Sequence, residues 1–420
     1  MTASQTRSFV PVAALFLTGW APGLLLLPVL SPAADPDRLV LLDGSVKPAQ
    51  VVAIRGDRAT GGRVELGGQT PEAADLFALR RIERPVQDVQ PSHSVEVLLS
   101  GGGRLFARQA TLRDSRLRIL WASLADAPPL ELPVELVRAV RYVGTDPAKI
   151  TKLTGYDNFA RSCDSDEGRE DRLFVIAEDS LQSVRGFLET ITENQVAFRF
   201  EDRTRTVDLA KVCGVVLARP AGKPDHVGQC LVRLADGSSL WGRVARLDSG
   251  KLVLTVADGC DALLPWDAVA RMDVRSDRLV FCSDLDPVRV LQQATLTGEW
   301  PWRRDRSVLG NPLSLNGAVY ERGLGVHADC TLDFSAGGRF ELFAAMIGID
   351  AETKGKGDCL FRVLGDGKEL FQQRLRGADK PVEVRVNIRG VKTVTLVVLQ
   401  GEDWDLADHA DWCDARFLRL

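Results

Sequence analysis

Histidine, aspartate and tryptophan side chains are grouped in short motifs near the C-terminus, and their chemistry suits recognition of a sugar. A hexose presents hydroxyl groups around its ring and apolar C–H faces. A site for it therefore needs fixed polar groups and an aromatic surface. The residues that we expect to bind carbohydrate are His327, Asp350, Asp408, His409 and Trp412. The same side chains can instead fix loops or fill the core, and the sequence leaves both roles open.

Sequence motifs of hydrolytic catalysis do not occur in this chain. The 420 residues include four histidines, and neither HExxH nor GxSxG is present. Carboxylates are plentiful, but sequence alone cannot pair them in a cleft. We therefore expect a protein without catalytic activity.

Composition excludes several further classes of function. The net charge is −4, and Lys and Arg form no basic tract, so we expect no nucleic-acid partner. The apolar fraction of 45% is that of a soluble protein with well-formed cores. None of the eight cysteines belongs to a CxxC pair, so zinc is not indicated. Disulfide bonds and buried free thiols both remain open for them.

The N-terminal segment has the pattern of a secretion signal. Arg7 precedes a mostly apolar stretch, and small residues follow at Ser31–Ala34. We expect residues 1–34 to be a signal peptide and the protein to be secreted, periplasmic or attached to the cell surface. An uncleaved membrane anchor remains the alternative.

Four segments in the middle of the chain repeat one pattern, and an irregular segment separates the second from the third. Each has a short apolar strand, a tight turn, alternating strands and a closing apolar triplet spacing that indicates one helical turn before a last strand. About 50 residues in five strands suggests a small SH3-like or Sm-like barrel. The predicted repeats and the solvated linker are residues 37–85, 94–143, 144–170 (the linker), 171–218 and 229–275.

The C-terminal third resembles a known family. The motifs GLGVHA at 323–328, GID at 348–350, GDGK at 365–368 and DHADW at 408–412 occur in the order found in the NPCBM family. That family accompanies secreted glycosidases such as those of glycoside hydrolase family 98. The likeness runs from about residue 284 to residue 420. It implies a galactose-binding-like β-sandwich, or jelly roll, that holds a sugar, and we assign residues 276–420 to this domain.

The same resemblance allows a structural calcium ion. Calcium takes six to eight oxygen ligands, and aspartates are crowded at the end of the domain. Asp411 and Asp414 are the candidate ligands, and a solvated acidic loop is the alternative.

The combined prediction is an exported, non-catalytic, all-β protein that binds a glycan or polysaccharide through its C-terminal domain. Two alternatives remain. The protein is a scaffold whose β repeats bind protein partners, or it is a glycoside hydrolase or its accessory subunit.

Overall fold

The computed structural model describes residues 36–420 except 58–61, 68–71, 91–92, 144–146, 165–167, 219–225, 294–297, 299 and 403. The predicted signal peptide lies outside the described residues. Residues 36–420 form one compact unit. No helix in the described part is long and apolar enough to cross a membrane.

Each predicted repeat contains five strands, and we name the repeats units 1 to 4 in chain order. The strands of units 1 and 2 are β1 (Asp37–Leu41), β2 (Val46–Arg55), β3 (Arg63–Gly67), β4 (Glu72–Asp75), β5 (Leu79–Glu83), β6 (Val95–Leu99), β7 (Arg104–Arg113), β8 (Arg116–Trp121), β9 (Leu130–Pro133) and β10 (Val137–Tyr142). The strands of units 3 and 4 are β11 (Asp171–Ala177), β12 (Ser180–Ile191), β13 (Gln195–Phe200), β14 (Arg203–Asp208), β15 (Val212–Val216), β16 (Gln229–Leu234), β17 (Ser239–Asp248), β18 (Lys251–Ala257), β19 (Cys260–Pro265) and β20 (Val269–Arg275).

A single helical turn precedes the fifth strand of every unit, as the triplet spacing predicts. These 3₁₀ turns are Leu76–Ala78, Val134–Leu136, Leu209–Lys211 and Trp266–Ala268. The twenty strands form one sheet system around a shared apolar core. Small units bury little surface alone, so a shared core is the expected solution. The SH3-like or Sm-like class of the units stays a prediction.

The units associate in two pairs through equivalent strands. The fifth strand of unit 1 pairs antiparallel with that of unit 4, with Arg81, Ile82 and Glu83 opposite Asp273, Met272 and Arg271. The fifth strands of units 2 and 3 pair in the same way. The second strands also pair between units 1 and 4 and between units 2 and 3. Because like strands meet antiparallel, each pair has an approximate twofold relation. We call the two fifth-strand pairings the 1–4 seam and the 2–3 seam.

The segment predicted as a solvated linker contains two helices, so that prediction is wrong for residues 147–164. Helix α1 spans Pro147–Ile150 and α2 spans Tyr156–Asp164. Phe159 and Cys163 on α2 are buried in a cluster with Phe174 and Cys213. The polar residues that suggest a linker lie on the other side of this short amphipathic helix.

The C-terminal strands form two packed sheets and a hairpin. They are β21 (Leu279–Phe281), β22 (Arg289–Gln292), β23 (Arg303–Arg304), β24 (Leu313–Leu315), β25 (Ala318–Tyr320), β26 (Gly323–His327), β27 (Cys330–Ser335), β28 (Leu342–Ile349), β29 (Asp358–Gly365), β30 (Lys368–Arg376), β31 (Val382–Asn387), β32 (Thr393–Gln400) and β33 (His409–Leu418). One sheet has the order β23-β26-β33-β28-β31, with β21 also paired to β33, and the other has the order β22-β27-β32-β29-β30. The apolar faces of both sheets share one core. The predicted all-β class with a C-terminal sandwich is confirmed.

Ion pairs and an apolar cluster fix the sandwich to units 1 and 4. Arg80 on β5 contacts both carboxylate oxygens of Asp414, at 2.8 and 2.9 Å. Arg271 on β20 makes a two-point contact with Glu321, at 3.0 and 2.8 Å. Leu42 of unit 1 is buried with apolar residues of the sandwich. All eight cysteines lie in the described part, and all are buried.

Candidate functional site

Three aromatic rings meet at one end of the sandwich. The ring of Trp300 lies nearly parallel to that of His327, with centroids 5.3 Å apart and an angle of 10°. His409 lies 5.4 Å from Trp300 and 5.5 Å from His327. Trp300 and His409 are half-buried, whereas His327 is buried. With Glu352, which contacts His409, these residues form what we call the histidine cleft.

Two neighbouring strands place the histidines. His327 ends β26, His409 begins β33, and the two residues are directly opposite each other in the ladder. The sequence motifs GLGVHA and DHADW thus meet as one antiparallel pair. A fixed backbone pair of this kind holds the two imidazole rings side by side at one end of the sheet.

Gly325 allows a neighbouring loop to reach the cleft. A Cβ atom at this position would lie 2.3 Å from the carbonyl oxygen of Arg306, so only glycine permits the approach. The loop carries Ser307, whose hydroxyl donates to Glu352 Oε2 at 2.6 Å. Asn311 donates to the same oxygen at 2.9 Å. The glycine motif therefore positions the carboxylate that holds His409.

Glu352 orients His409 and is itself held as a carboxylate. Burial acts to raise the pKa of Glu352, but the hydrogen bonds from Ser307, Asn311 and His409 lower it below its usual value. Nδ1 of His409 lies 2.8 Å from Glu352 Oε1. Because a carboxylate only accepts, Nδ1 donates to Glu352, and Nε2 is the ring nitrogen that this contact leaves for a ligand.

Burial sets the charge of His327. It lowers the pKa of His327, a hydrogen bond with the backbone of Ala328 opposes that effect, and smaller contributions from His409 and Asp405 act in opposite directions. The ring is therefore neutral at pH 7. Its Nδ1 is buried. A neutral imidazole can donate to one hydroxyl group and accept from another.

The loop before β33 adds apolar surface beside the cleft. The side chain of Trp404 is 68% exposed and that of Leu406 is 57% exposed, whereas Asp405 between them is buried. Asp405 lies close enough to His327 to influence its pKa, which places this loop against the cleft. An exposed indole on a loop is a common feature of ligand-binding surfaces.

The predicted residues Asp350 and Asp408 hold the backbone in place. Asp350 accepts from the backbone N–H groups of Glu352 at 2.8 Å and Ser314 at 3.0 Å, and it caps the 3₁₀ turn Ala351–Thr353. Asp408 accepts from the backbone N–H of Asp358 at 2.7 Å. Both carboxylates are buried. They shape the loops around the cleft.

Trp412 lies in the core between the two sheets. Its side chain is 1% exposed and contacts Phe343 and Phe361. The sequence suggests that the DHADW motif is a loop, whereas β33 already begins at His409. Alternation along that strand turns Trp412 into the core. Of the five predicted residues, the structure brings together His327 and His409.

The two predicted calcium ligands do not share one location. Asp411 is buried beside Asp350 and Glu352, and its burial raises its pKa well above the usual value. Asp414 instead accepts from Arg80. Within the described ranges, no group of three or more His, Cys, Asp or Glu residues is arranged to hold a metal ion. The residues present do not fit a calcium ion bound by this pair, and calcium stays an untested prediction.

Trp300 and Glu352 belong to the cleft but are not among the binding residues predicted from the sequence. Trp300 is one of several tryptophans in the C-terminal domain, and nothing in its local sequence marks it as the one beside the histidines. Glu352 follows Asp350 by two positions. An aspartate that can cap a turn, followed two residues later by a glutamate, could have predicted a turn that holds a carboxylate in place.

Comparison with known proteins assigns the C-terminal part of the chain. Residues 278–418 match the NPCBM/NEW2 domain. A segment of 115 residues is 36% identical to a protein of Renibacterium salmoninarum named "Putative endo-alpha-N-acetylgalactosaminidase", covering 26% of this chain and 7% of that protein.

Solved structures give similar neighbours. A CBM51 module from Clostridium perfringens GH95, in complex with methyl-galactose, is 27% identical with a TM-score of 0.31, over 33% of this chain and 99% of that one. The CBM51-2 and INT domains of Clostridium perfringens ZmpB, in complex with GlcNAc, are 24% identical with a TM-score of 0.32, over 40% and 36%. The family resemblance predicted from the motifs is confirmed for the C-terminal part, since residues 278–418 match the NPCBM/NEW2 domain.

Proposed function

We propose that the C-terminal sandwich binds a glycan reversibly at the histidine cleft. The observation that carries this proposal is the arrangement of Trp300 flat against His327 and beside His409 at one end of the sandwich. An indole offers an apolar surface to the C–H face of a sugar ring, and imidazole nitrogens offer hydrogen bonds to its hydroxyl groups. The family of the domain supports the same assignment.

The charges in the cleft favour a neutral ligand. Glu352 is ionised but occupied by Ser307, Asn311 and His409, so it does not attract a cation strongly. His327 is neutral because burial lowers its pKa. Neutral donors and acceptors held by their neighbours suit hydroxyl groups, whose orientation they select without a large desolvation cost.

Affinity for one sugar unit will be low. A monosaccharide has about twelve heavy atoms, and ~0.3 kcal/mol per atom gives roughly −4 kcal/mol, which corresponds to about millimolar binding. Useful affinity therefore needs several sugar units, and Trp404 and Leu406 are placed to contact a second one. Exposed apolar side chains beside a cleft extend a binding surface at small entropic cost.

The role that we assign is binding without catalysis, in an exported protein. In the cleft, Glu352 is held as an ionised acceptor and His409 as its donor, so neither is placed as a proton donor to a glycosidic oxygen. The relative from Renibacterium salmoninarum aligns with a segment as long as a binding domain, and only over 7% of its length. Export, which the N-terminal segment predicts, would bring the protein to glycans outside the cell.

A glycan array probed with the full chain tests the proposal. Galactosides, N-acetylgalactosaminides, N-acetylglucosaminides and their oligomers form the probe set. We expect selective binding that is reduced at least about tenfold by Trp300→Ala or His327→Ala, because each removes a direct contact. Trp241→Ala, in unit 4, is the matched control and should bind as the unaltered protein does. Absence of selective binding by the folded chain would refute the proposal.

A further inference from the structure

Helices α1 and α2 close a cavity over unit 2. Its volume is about 340 Å³, which falls within the range of ligand-binding clefts. The helices supply Ile150, Tyr156 and Phe159 to its wall, and strands of unit 2 supply the opposite wall. The four units share one strand pattern that does not need an insertion, yet these helices occur between units 2 and 3 and pack as part of the fold.

Gly214 shows that the fold is adapted to this helix. A Cβ atom at Gly214 would lie 2.6 Å from the ring of Phe159 and 2.7 Å from the carbonyl oxygen of Val140. Only a residue without a side chain lets Phe159 rest on the 2–3 seam. In the 1–4 seam the equivalent position is Arg81, as the matching strand registers show. The glycine on β15 therefore allows α2 to cover the cavity.

The walls of the cavity are largely aromatic. His93 and Phe106 lie on one side, with ring centroids 4.4 Å apart. Tyr156 and Phe159 lie on the other, 6.0 Å apart and nearly perpendicular. Rings facing a cleft of this size favour a planar apolar group.

The polar side of the cavity carries a net positive charge. Glu96 is buried between Arg104 and Arg141, whose nitrogens lie 2.8 and 2.9 Å from its two oxygens. Arg141 also donates to the hydroxyl of Tyr156 at 2.8 Å. Two guanidinium groups against one carboxylate leave one positive charge. Arg104 contacts Glu96 through Nε and has a half-exposed side chain, so its two Nη atoms can reach a ligand.

A buried hydroxyl points to the same ligand chemistry. Tyr142 lines the cavity and is 9% exposed, and its hydroxyl makes no hydrogen bond within the described residues. A buried donor without a partner is costly, and a ligand that carries an acceptor would relieve that cost. Tyr142 thus requires an acceptor and Arg104 has Nη donors to offer one, and a carboxylate suits both groups.

We propose that this cavity binds a planar apolar group that carries a carboxylate. The ring lies between the aromatic walls and the carboxylate lies at Arg104. Two sources share this chemistry: a free aromatic acid and the C-terminal residue of a peptide. The site is separate from the histidine cleft and does not depend on the function proposed there.

Calorimetric titration of the full chain tests the site. The probes are N-acetylphenylalanine, its amide and N-acetylglycine, with the tetrapeptide Ala-Ala-Ala-Phe as acid and amide for the second source. We expect the aromatic acid to bind at least about tenfold more tightly than its amide or than N-acetylglycine, because each control lacks one half of the recognition. A tetrapeptide acid that binds more tightly than N-acetylphenylalanine assigns the site to chain ends, and the reverse order assigns it to small acids.

Two variants make the result specific to this cavity. Arg104→Gln should weaken binding about tenfold, while Arg243→Gln, a similarly exposed arginine of unit 4, should leave binding unchanged. Thr151→Trp adds an indole at an exposed position on the rim and should abolish binding without removing a core contact. No binding of any probe, or binding that neither variant alters, would overturn the proposal.

Discussion

The 1–4 seam and the 2–3 seam have the same backbone pairing, but the outward side chains of the first are charged and those of the second are mostly apolar. Outward positions of the 1–4 seam hold Arg81, Glu83, Arg271 and Asp273. The equivalent positions of the 2–3 seam hold Gly214, Val216, Ala139 and Arg141. The charged seam contacts the sandwich through the ion pair of Arg271 with Glu321, and the apolar seam is covered by α2. The two pairs of units have the same strand arrangement, but different segments pack against them because the four outward residues of each seam differ.

The inward residues of each seam form the shared core, whereas the outward residues determine which segment packs against the seam. Inward residues such as Ile82 and Val215 are apolar in both seams, since both close the same core. Outward residues are free to differ because strand alternation places them on the other face. Each seam then attracts the neighbour that matches it: Glu321 on the sandwich for the charged seam, and the helix that carries Phe159 for the apolar seam.

The largest effect should follow from Gly214→Val in the apolar seam. The new side chain would clash with Phe159 and the backbone of Val140, and we expect the free energy of unfolding to fall by about 3 kcal/mol. Urea titration measures the change. Arg81→Val, at the equivalent position of the charged seam, is the matched control. It loses partly buried ion pairs with Glu83 and Asp273, but Asp273 keeps Arg271 as a partner, so the loss should be only about 1 kcal/mol. Equal losses at both positions would contradict the proposed difference between the seams.

A smaller loss should follow from Asp414→Asn at the contact with the sandwich. Arg80 contacts both oxygens of Asp414, and the pKa of nearby Arg416 is lowered to about 10 by its burial and by Arg80. Without the carboxylate, two crowded guanidinium groups remain uncompensated, so we expect a loss of about 2 kcal/mol. Thermal unfolding measures it. Asp277→Asn, whose aspartate forms an exposed pair with Arg419, should change stability far less. A variant as stable as the unaltered protein would show that Asp414 does not anchor the sandwich.

The smallest effect should be an acid sensitivity of the charged seam. Burial acts to raise the pKa of Glu321, but its hydrogen bond and attraction to Arg271 lower it below the usual value. The unfolded chain therefore binds more protons in acid, and this stabilisation is present above about pH 4.5 and lost as pH falls towards the lowered pKa. Glu321 is half exposed, so the effect is below about 1 kcal/mol.

Glu321→Gln isolates that contribution. The variant should be slightly less stable than the unaltered protein at pH 7, and the difference should shrink at pH 3.5. Thermal unfolding at both pH values measures it. A difference that grows in acid would have the wrong sign for an ion pair.

Much of this architecture could be predicted from local sequence patterns. Turn residues, alternation and triplet spacing located the four units, and the GLGVHA and DHADW motifs located the sandwich. The pairing of unit 1 with unit 4 could not be read in this way, because strand pairing between distant segments leaves no local periodicity. Helix α2 was missed because its polar face dominates the composition while its buried face consists of Phe159 and Cys163.

The residues of the candidate site could be predicted only in part from the sequence. His327 and His409 belong to recognisable motifs and do meet in the structure. Trp412 and Asp350 belong to motifs as well, yet one fills the core and the other caps a turn. A motif does not reveal which face of a strand a residue takes when the start of that strand is misplaced. Trp300 and Glu352 join the cleft through tertiary packing alone.

Histidine NMR during a glycan titration tests the central claim most directly. The chain has four histidines, with His327 and His409 in the cleft and His93 and His226 in the repeat units. Titration with a glycan selected on the array should shift the imidazole signals of His327 and His409 and leave those of His93 and His226 unchanged. Shifts confined to His93 or His226, or bound glycan with no shift at His327 and His409, would contradict glycan recognition at the histidine cleft.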